Sequence, residues 1–170
     1  MADYQHFEAY LEENLDRLYR LAFSYTLNQA DAEDVVNESV MKALQALHTL
    51  REPKYLGTWL YRIVVNTAIT AQSKKAKVVA YDPLSPEWQN LTEHLVTEES
   101  NDGIQFQDLI ANLNPDQRTL MILRYFEERP LWEIAEILGV NVSTIKTRLY
   151  RALHKLQNEM KETRHDNQQA

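Results

Sequence analysis

The chain has 170 residues, 44% hydrophobic and 25% charged, which suits one medium globular domain or two small ones. Three glycines and five prolines are too few for a sandwich or barrel, and the lack of cysteine excludes a disulfide scaffold or a thiolate zinc site. A net charge of -7 argues against nucleic acid as a partner until its distribution is followed.

Met1 to Glu13 is acidic, with no apolar core of signal-peptide length, and no apolar run approaches membrane-spanning length, so the cytoplasm is the expected compartment. Phe7, Leu11, Leu15, Leu18, Leu21, Ala22 and Tyr25 recur at helical spacing and predict a helix to Leu27. Asn28 fits an N-cap with Asp31 three residues on, opening a second helix to about Leu47. Pro53 breaks the pattern, and a third helix follows from about Gly57 to Lys75, carrying Trp59, Leu60, Ile63, Val64 and Ile69. Three such helices make a self-sufficient bundle. Val78 to Asp102, with Pro83, Pro86 and many acids, reads as an extended linker in which Trp88, Leu91 and Leu95 form at most a short amphipathic turn. Helical period returns at Phe106 and stops at Asn114-Pro115. Asp116 to Glu127 forms the next helix, Pro130 opens another in its first helical position, and Gly139 ends it. Asn141 caps a last helix from Val142 to about Lys161. The fold class is therefore all-α, in two small helical domains: 1–77, an acidic linker 78–105, a second domain 106–162 and a polar tail 163–170.

Charge is unevenly placed along this plan. Met1 to Val40 holds nine acids against Arg17 and Arg20, and Val78 to Gln117 holds eight acids and no base. Arg51 to Lys77 holds six bases against Glu52, and Val142 to Gln157 holds Lys146, Arg148, Arg151 and Lys155 with no acid. Two basic islands in an acidic chain are where a polyanion would dock.

The second island lies on a helix-turn-helix. Ala135 is small where two helices cross, Gly139 suits the tight turn, and Ile134, Leu138, Val140, Val142 and Ile145 fill a shared core. Opposite Leu149 the final helix carries Thr144, Thr147, Arg148, Arg151 and Lys155, with Ser143 and Lys146 at the edges. Hydroxyls and cations without a carboxylate make a recognition helix. In the first island Tyr55, Trp59 and Tyr61 interleave with Lys54, Arg62, Lys74, Lys75 and Lys77. Stacking surfaces beside cations suit single-stranded nucleic acid, although Trp59 and Ile63 read as core.

Leu18-Tyr19-Arg20-Leu21-Ala22, Ala30 through Glu38 and Trp59 through Asn66 resemble region 2 of an extracytoplasmic-function (ECF) sigma factor of the sigma-70 family. Leu113 through Arg118, Leu123-Arg124-Tyr125 and Glu133 through Leu149 resemble its region 4. Several blocks in the right order are more specific than any one motif. The resemblance implies a bacterial transcription initiation factor with no enzymatic activity and no metal or other cofactor. Its partners would be core RNA polymerase, through the β′ coiled coil and the β flap, promoter DNA, and an anti-sigma factor of the kind that is often membrane-anchored. The implied polymerase contacts are Asp31, Asp34, Val35, Asn37 and Glu38. Those to the melted −10 strand are Tyr61, Arg62, Ile63, Asn66, Lys74 and Lys75, with the loop Leu50 to Tyr55. Those to the duplex −35 element are Ser143, Thr144, Lys146, Thr147, Arg148, Arg151 and Lys155. The acidic linker would thread the path of nascent RNA. Pro130, Ser143 and Thr70 depart from the family pattern, where a hydroxyl cap, a glycine and an acid are common.

Two other readings compete. A helix-turn-helix regulator would bind an operator without polymerase, but leaves the Trp59 to Asn66 block unexplained. A carboxylate enzyme site at Glu33, Asp34 and Glu38 lacks support from the scattered His6, His48, His94, His154 and His165.

Overall fold

The computed structural model describes residues 4–74 and 112–169, and all the regular structure among them is helical. Helix α1 (Tyr4–Thr26) buries Phe7, Leu18, Leu21, Ala22 and Tyr25 as the helical spacing predicts, adds Phe23, and leaves the expected Leu15 exposed. Leu27 takes a left-handed backbone (φ 50) in the turn that follows, with its amide on the Phe23 carbonyl at 2.9 Å. Asn28 caps α2 (Gln29–Ala46), its side chain accepting from the Asp31 amide at 3.0 Å. Two short 3-10 turns, Leu47–Thr49 and Pro53–Tyr55, lead into α3 (Leu56–Lys74), which buries Leu56, Leu60, Tyr61, Val64, Val65 and Ala68. Gly57 lets α3 start against α1: a Cβ there would lie 2.6 Å from the Tyr10 hydroxyl oxygen.

Residues 75–111 lie outside the described part, and with them the expected linker, its Trp88–Leu95 turn and most of the Phe106–Leu113 helix. The helix expected from Asp116 begins one residue earlier, at Pro115, with Asn114 as its cap. Asn114 accepts from the Gln117 amide at 2.9 Å, the Gln117 side chain takes the Asn114 amide at 3.3 Å, and Pro115 sits where no amide is needed. Helix α4 (Pro115–Met121) then widens into a π turn over Ile122–Phe126. Glu128 follows with φ 51, and α5 (Leu131–Leu138) begins one residue later than expected. Pro130 is its cap and not its first helical residue, because its ψ of 153 is extended, and its carbonyl accepts from Glu133 and Ile134 at 3.1 Å. Gly139 (φ 68) ends α5, with its amide and that of Val140 turned back on the last turn.

Helix α6 (Val142–Gln169) is longer than the sequence reading, which left 163–170 as a tail. No glycine or proline interrupts Lys161 to Gln169, so nothing local ends the helix. Among the described residues no helix is long and apolar enough to cross a membrane.

The two groups of helices share one apolar core. Leu120, Leu123, Ile134, Ala135, Ile137 and Ile145 join the cluster built by α1, α2 and α3, while Leu113, Met121, Ala152 and Leu156 form a satellite around α6. Helix α1 packs on α4, and α3 packs on α5. Polar bonds cross the same seam: buried Arg118 donates from Nε to the Ser24 carbonyl at 2.9 Å, and the Ser24 and Thr119 hydroxyls meet at 2.9 Å, while Arg118 Nη1 donates within its own group to the Leu113 carbonyl at 2.6 Å.

Left-handed backbone should be measurable in stability. Gly139→Ala is expected to cost about 1–2 kcal/mol, and Glu128→Gly to gain about 1 kcal/mol, by urea unfolding. Burial pushes the Tyr25 hydroxyl up to about 12, and burial and then the neighbouring Glu127 charge raise Tyr61 as well. Both groups favour the folded state below pH 10, and that stability is lost as pH rises from 10 through the raised values. A Tyr25→Phe variant should show a flatter loss of stability above pH 10.

Candidate nucleic-acid interface

Helix α6 is positioned by its cap. The Asn141 side-chain oxygen accepts from the Thr144 amide and hydroxyl, both at 2.8 Å, and from the Ser143 hydroxyl at 2.7 Å. The Thr147 hydroxyl donates to the Ser143 carbonyl at 3.1 Å. All three hydroxyls thus spend their protons on the helix itself and offer lone pairs outward, which suits contact with amino groups on base edges. Lys146, Thr147 and Arg151 are exposed. Arg148 is half-buried and near enough to Tyr25 to act on its hydroxyl. Lys155 is exposed, but its ammonium donates to the Asn112 carbonyl at 2.7 Å, so it steadies the entry to α4. Tyr150 stands 72% exposed beside this face, its ring 6.4 Å from that of His154. The sequence reading passed over Tyr150. Its spacing from Thr147 and His154, three and four residues along a helix, was the available signal.

The first basic island divides in two. Arg62, Asn66 and Lys74 are exposed along α3, and Ile63 is half-buried against the core. Lys54 lies over the Tyr55 ring at 4.9 Å in the exposed turn before α3, a cation beside an aromatic face. Tyr61 requires correction: its side chain is 0% exposed and points into the seam between the two groups of helices, where its hydroxyl donates to Glu127 at 3.0 Å. Bulk and an aromatic ring drive it inward, so in this arrangement it cannot touch a DNA strand. Lys75 lies outside the described residues.

On α2, Asp34, Asn37 and Glu38 are exposed and Asp31 is half-buried in the first turn. Val35 is 2% exposed and serves the core, so it is corrected from a partner contact to a packing residue. Lys42 sits one turn after Glu38 at 2.7 Å, and its hydrogen bond holds the Glu38 carboxyl below the usual range. That pair leaves Asp34 as the more available charge. Among the described residues no three His, Asp or Glu side chains gather in a way that would hold a metal ion.

Comparison with known proteins agrees with this layout. The family model for sigma-70 region 2 matches residues 10–78, and that for sigma-70 region 4 matches residues 104–156. The chain is 42% identical over 135 residues to RNA polymerase sigma factor SigV of Bacillus subtilis (strain 168), covering 79% of each chain. It is 33% identical over 147 residues to the ECF RNA polymerase sigma-E factor of Haemophilus influenzae (strain ATCC 51907 / DSM 11121 / KW20 / Rd), covering 79% of this chain and 77% of that one. The structure resembles the sigma factor RpoE co-crystallised with the anti-sigma factor NepR from Bartonella quintana, with a TM-score of 0.70 at 26% identity over 91% of this chain and 96% of that one. With a recognition helix behind a glycine turn, a three-helix bundle beside it, and relatives of this identity over most of their length, the chain belongs to the sigma-70 family as an ECF alternative sigma factor directing transcription initiation.

Proposed function

We propose that this sigma factor docks on the core polymerase β′ coiled coil through the exposed acids of α2, reads the −35 element as duplex with α6, and reads the melted −10 strand with α3 and the turn before it. The carrying observation is the carboxylate-free exposed face over Val142–Gln157 of α6, with Lys146, Thr147 and Arg151 outward behind a hydroxyl cap. For the −10 strand, the support is the exposed Arg62 and Asn66 along α3 with the Lys54–Tyr55 pair at its start. The β flap takes the region 4 module. The protein acts in the cytoplasm, where the polymerase is, with no catalytic step of its own.

Charge explains why polymerase is needed. A chain of net charge -7 is repelled by DNA at long range, and each reader has few cations to release counterions. Held on one enzyme, the two weak readers raise each other's effective concentration. An anti-sigma factor is the partner that withholds the protein, a reading supported by the sigma factor RpoE, which was solved with one.

In vitro transcription with purified core polymerase and a genomic promoter pool tests the reading, which fails if the protein directs no initiation. Arg151→Ala should lower −35-dependent initiation about tenfold to a hundredfold, the worth of one good base contact, while core binding stays intact. Equal loss of both would refute the assigned role. Asp34→Lys should weaken core binding about tenfold in a pull-down with polymerase, with DNA preference unchanged.

A further inference from the structure

The exposed face of α6 that carries Thr147 and Arg151 continues, one turn further on, into a histidine held from both sides. At about 100° per residue, the exposed His154 points within about 20° of Thr147 and about 60° of Arg151. Its ring lies one turn after that of Tyr150, with centroids 6.4 Å apart and an interplanar angle of 24°. On the other side, the Asn158 amide nitrogen stands 3.4 Å from its Nδ1. An amide nitrogen only donates, so Nδ1 accepts, and the single proton of a neutral imidazole is left on Nε2. The second ring nitrogen is thereby a donor, and the stacked tyrosine fixes the plane in which it points. Lys155, the cation next along the helix, is committed to the Asn112 carbonyl at 2.7 Å and competes poorly for an outside partner. Over Val142–Gln157 the helix has no acid to repel an anion from this turn.

We propose that His154 is a further DNA contact of this sigma factor, donating its Nε2 proton to a backbone phosphate at the edge of the −35 major groove. Asn158 is its positioning residue, setting which ring nitrogen carries the proton. The inference rests on the reading above, in which α6 meets the −35 duplex. Ser143 and Thr144 open the helix where base edges are met, and His154 lies about 15 Å beyond Thr144 at 1.5 Å per residue. The major groove is about 12 Å wide, so a side chain that far along a helix whose first turn is among the bases has reached the phosphate wall. A phosphate contact fixes the register of the helix on the duplex and carries no base preference of its own.

The test uses the full chain with core polymerase on a −35-dependent promoter at pH 8. His154→Ala should weaken promoter binding about tenfold, the worth of one hydrogen bond to a charged group, and by the same factor on promoters altered at single −35 base pairs. His154→Gln carries an amide nitrogen to the place of Nε2 and should recover most of that loss, with helix content unchanged in both variants. Neutral methylphosphonates set one at a time along both strands of the −35 element should locate the partner. At one position the parent should lose about tenfold while His154→Ala loses nothing further, as in a double-mutant cycle. Nitrogen-15 shifts of the ring in the free protein should place its proton on Nε2, and Asn158→Ala should spread it over both nitrogens. Binding unchanged by His154→Ala overturns the proposal. So does a loss that varies with the −35 bases, or a scan in which parent and variant fall alike at every phosphate. A proton found on Nδ1 overturns the role of Asn158. If the parent protein directs no initiation at all, the promoter-reading function itself fails and this contact with it.

Discussion

A carboxylate taken out of water must find its full set of partners or give up its charge, and Glu127 finds them across a module boundary. Arg17 and Arg20 come from one turn of α1, and Tyr61 from the middle of α3. Because those groups stand on α1 and α3, with Arg20 107 and Tyr61 66 residues before the carboxylate they serve, satisfying it constrains how α5 and α6 sit on the bundle. The Thr58–Glu133 bond and the Arg118 bond to Ser24 repeat the same logic at either side. The apolar side chains of α4 and α5 supply the burial, while the polar groups choose among the ways in which two oily faces can meet.

That orientation sorts the residues of α3 and α6, the two helices proposed to read DNA. On α6 the packing of Ile145, Ala152 and Leu156 turns Lys146, Thr147 and Arg151 outward, and the Asn141 cap absorbs the hydroxyl protons of Ser143 and Thr144. On α3 the seam takes Thr58 and Tyr61 and leaves Arg62 and Asn66 free. The same helix therefore serves the module boundary from one face and leaves a cationic and amide-bearing face exposed beside it. A chain of net charge -7 meets a polyanion only through such local clearings of its acids.

Much of the plan was legible in the residues. Period and caps located α1, α2 and α3 to within three residues at each end, and Asn28, Gly139 and Asn141 each do what their chemistry suggested. Errors gathered where a residue has two possible uses. Pro130 serves as a cap instead of a first helical residue, because the proline ring fixes φ at a value both roles share and leaves ψ to the surroundings. Val35 and Tyr61 were read as contacts, yet both are buried. Neighbouring positions on a helix differ by 100° in direction, and block similarity to a family does not say which of them faces out.

The sequence by itself determined the elements, the helix-turn-helix and the family, because those depend on local spacing, turn chemistry and ordered blocks of similar residues. It also located both basic islands, since charge along the chain needs no fold to be counted. Only the tertiary structure decided that the two modules share a core, that Glu127 is the buried centre of their seam, and that Tyr61 faces that seam and not solvent. Those are contacts between residues 66 and 107 positions apart, and no local rule of period or propensity reaches across such separations.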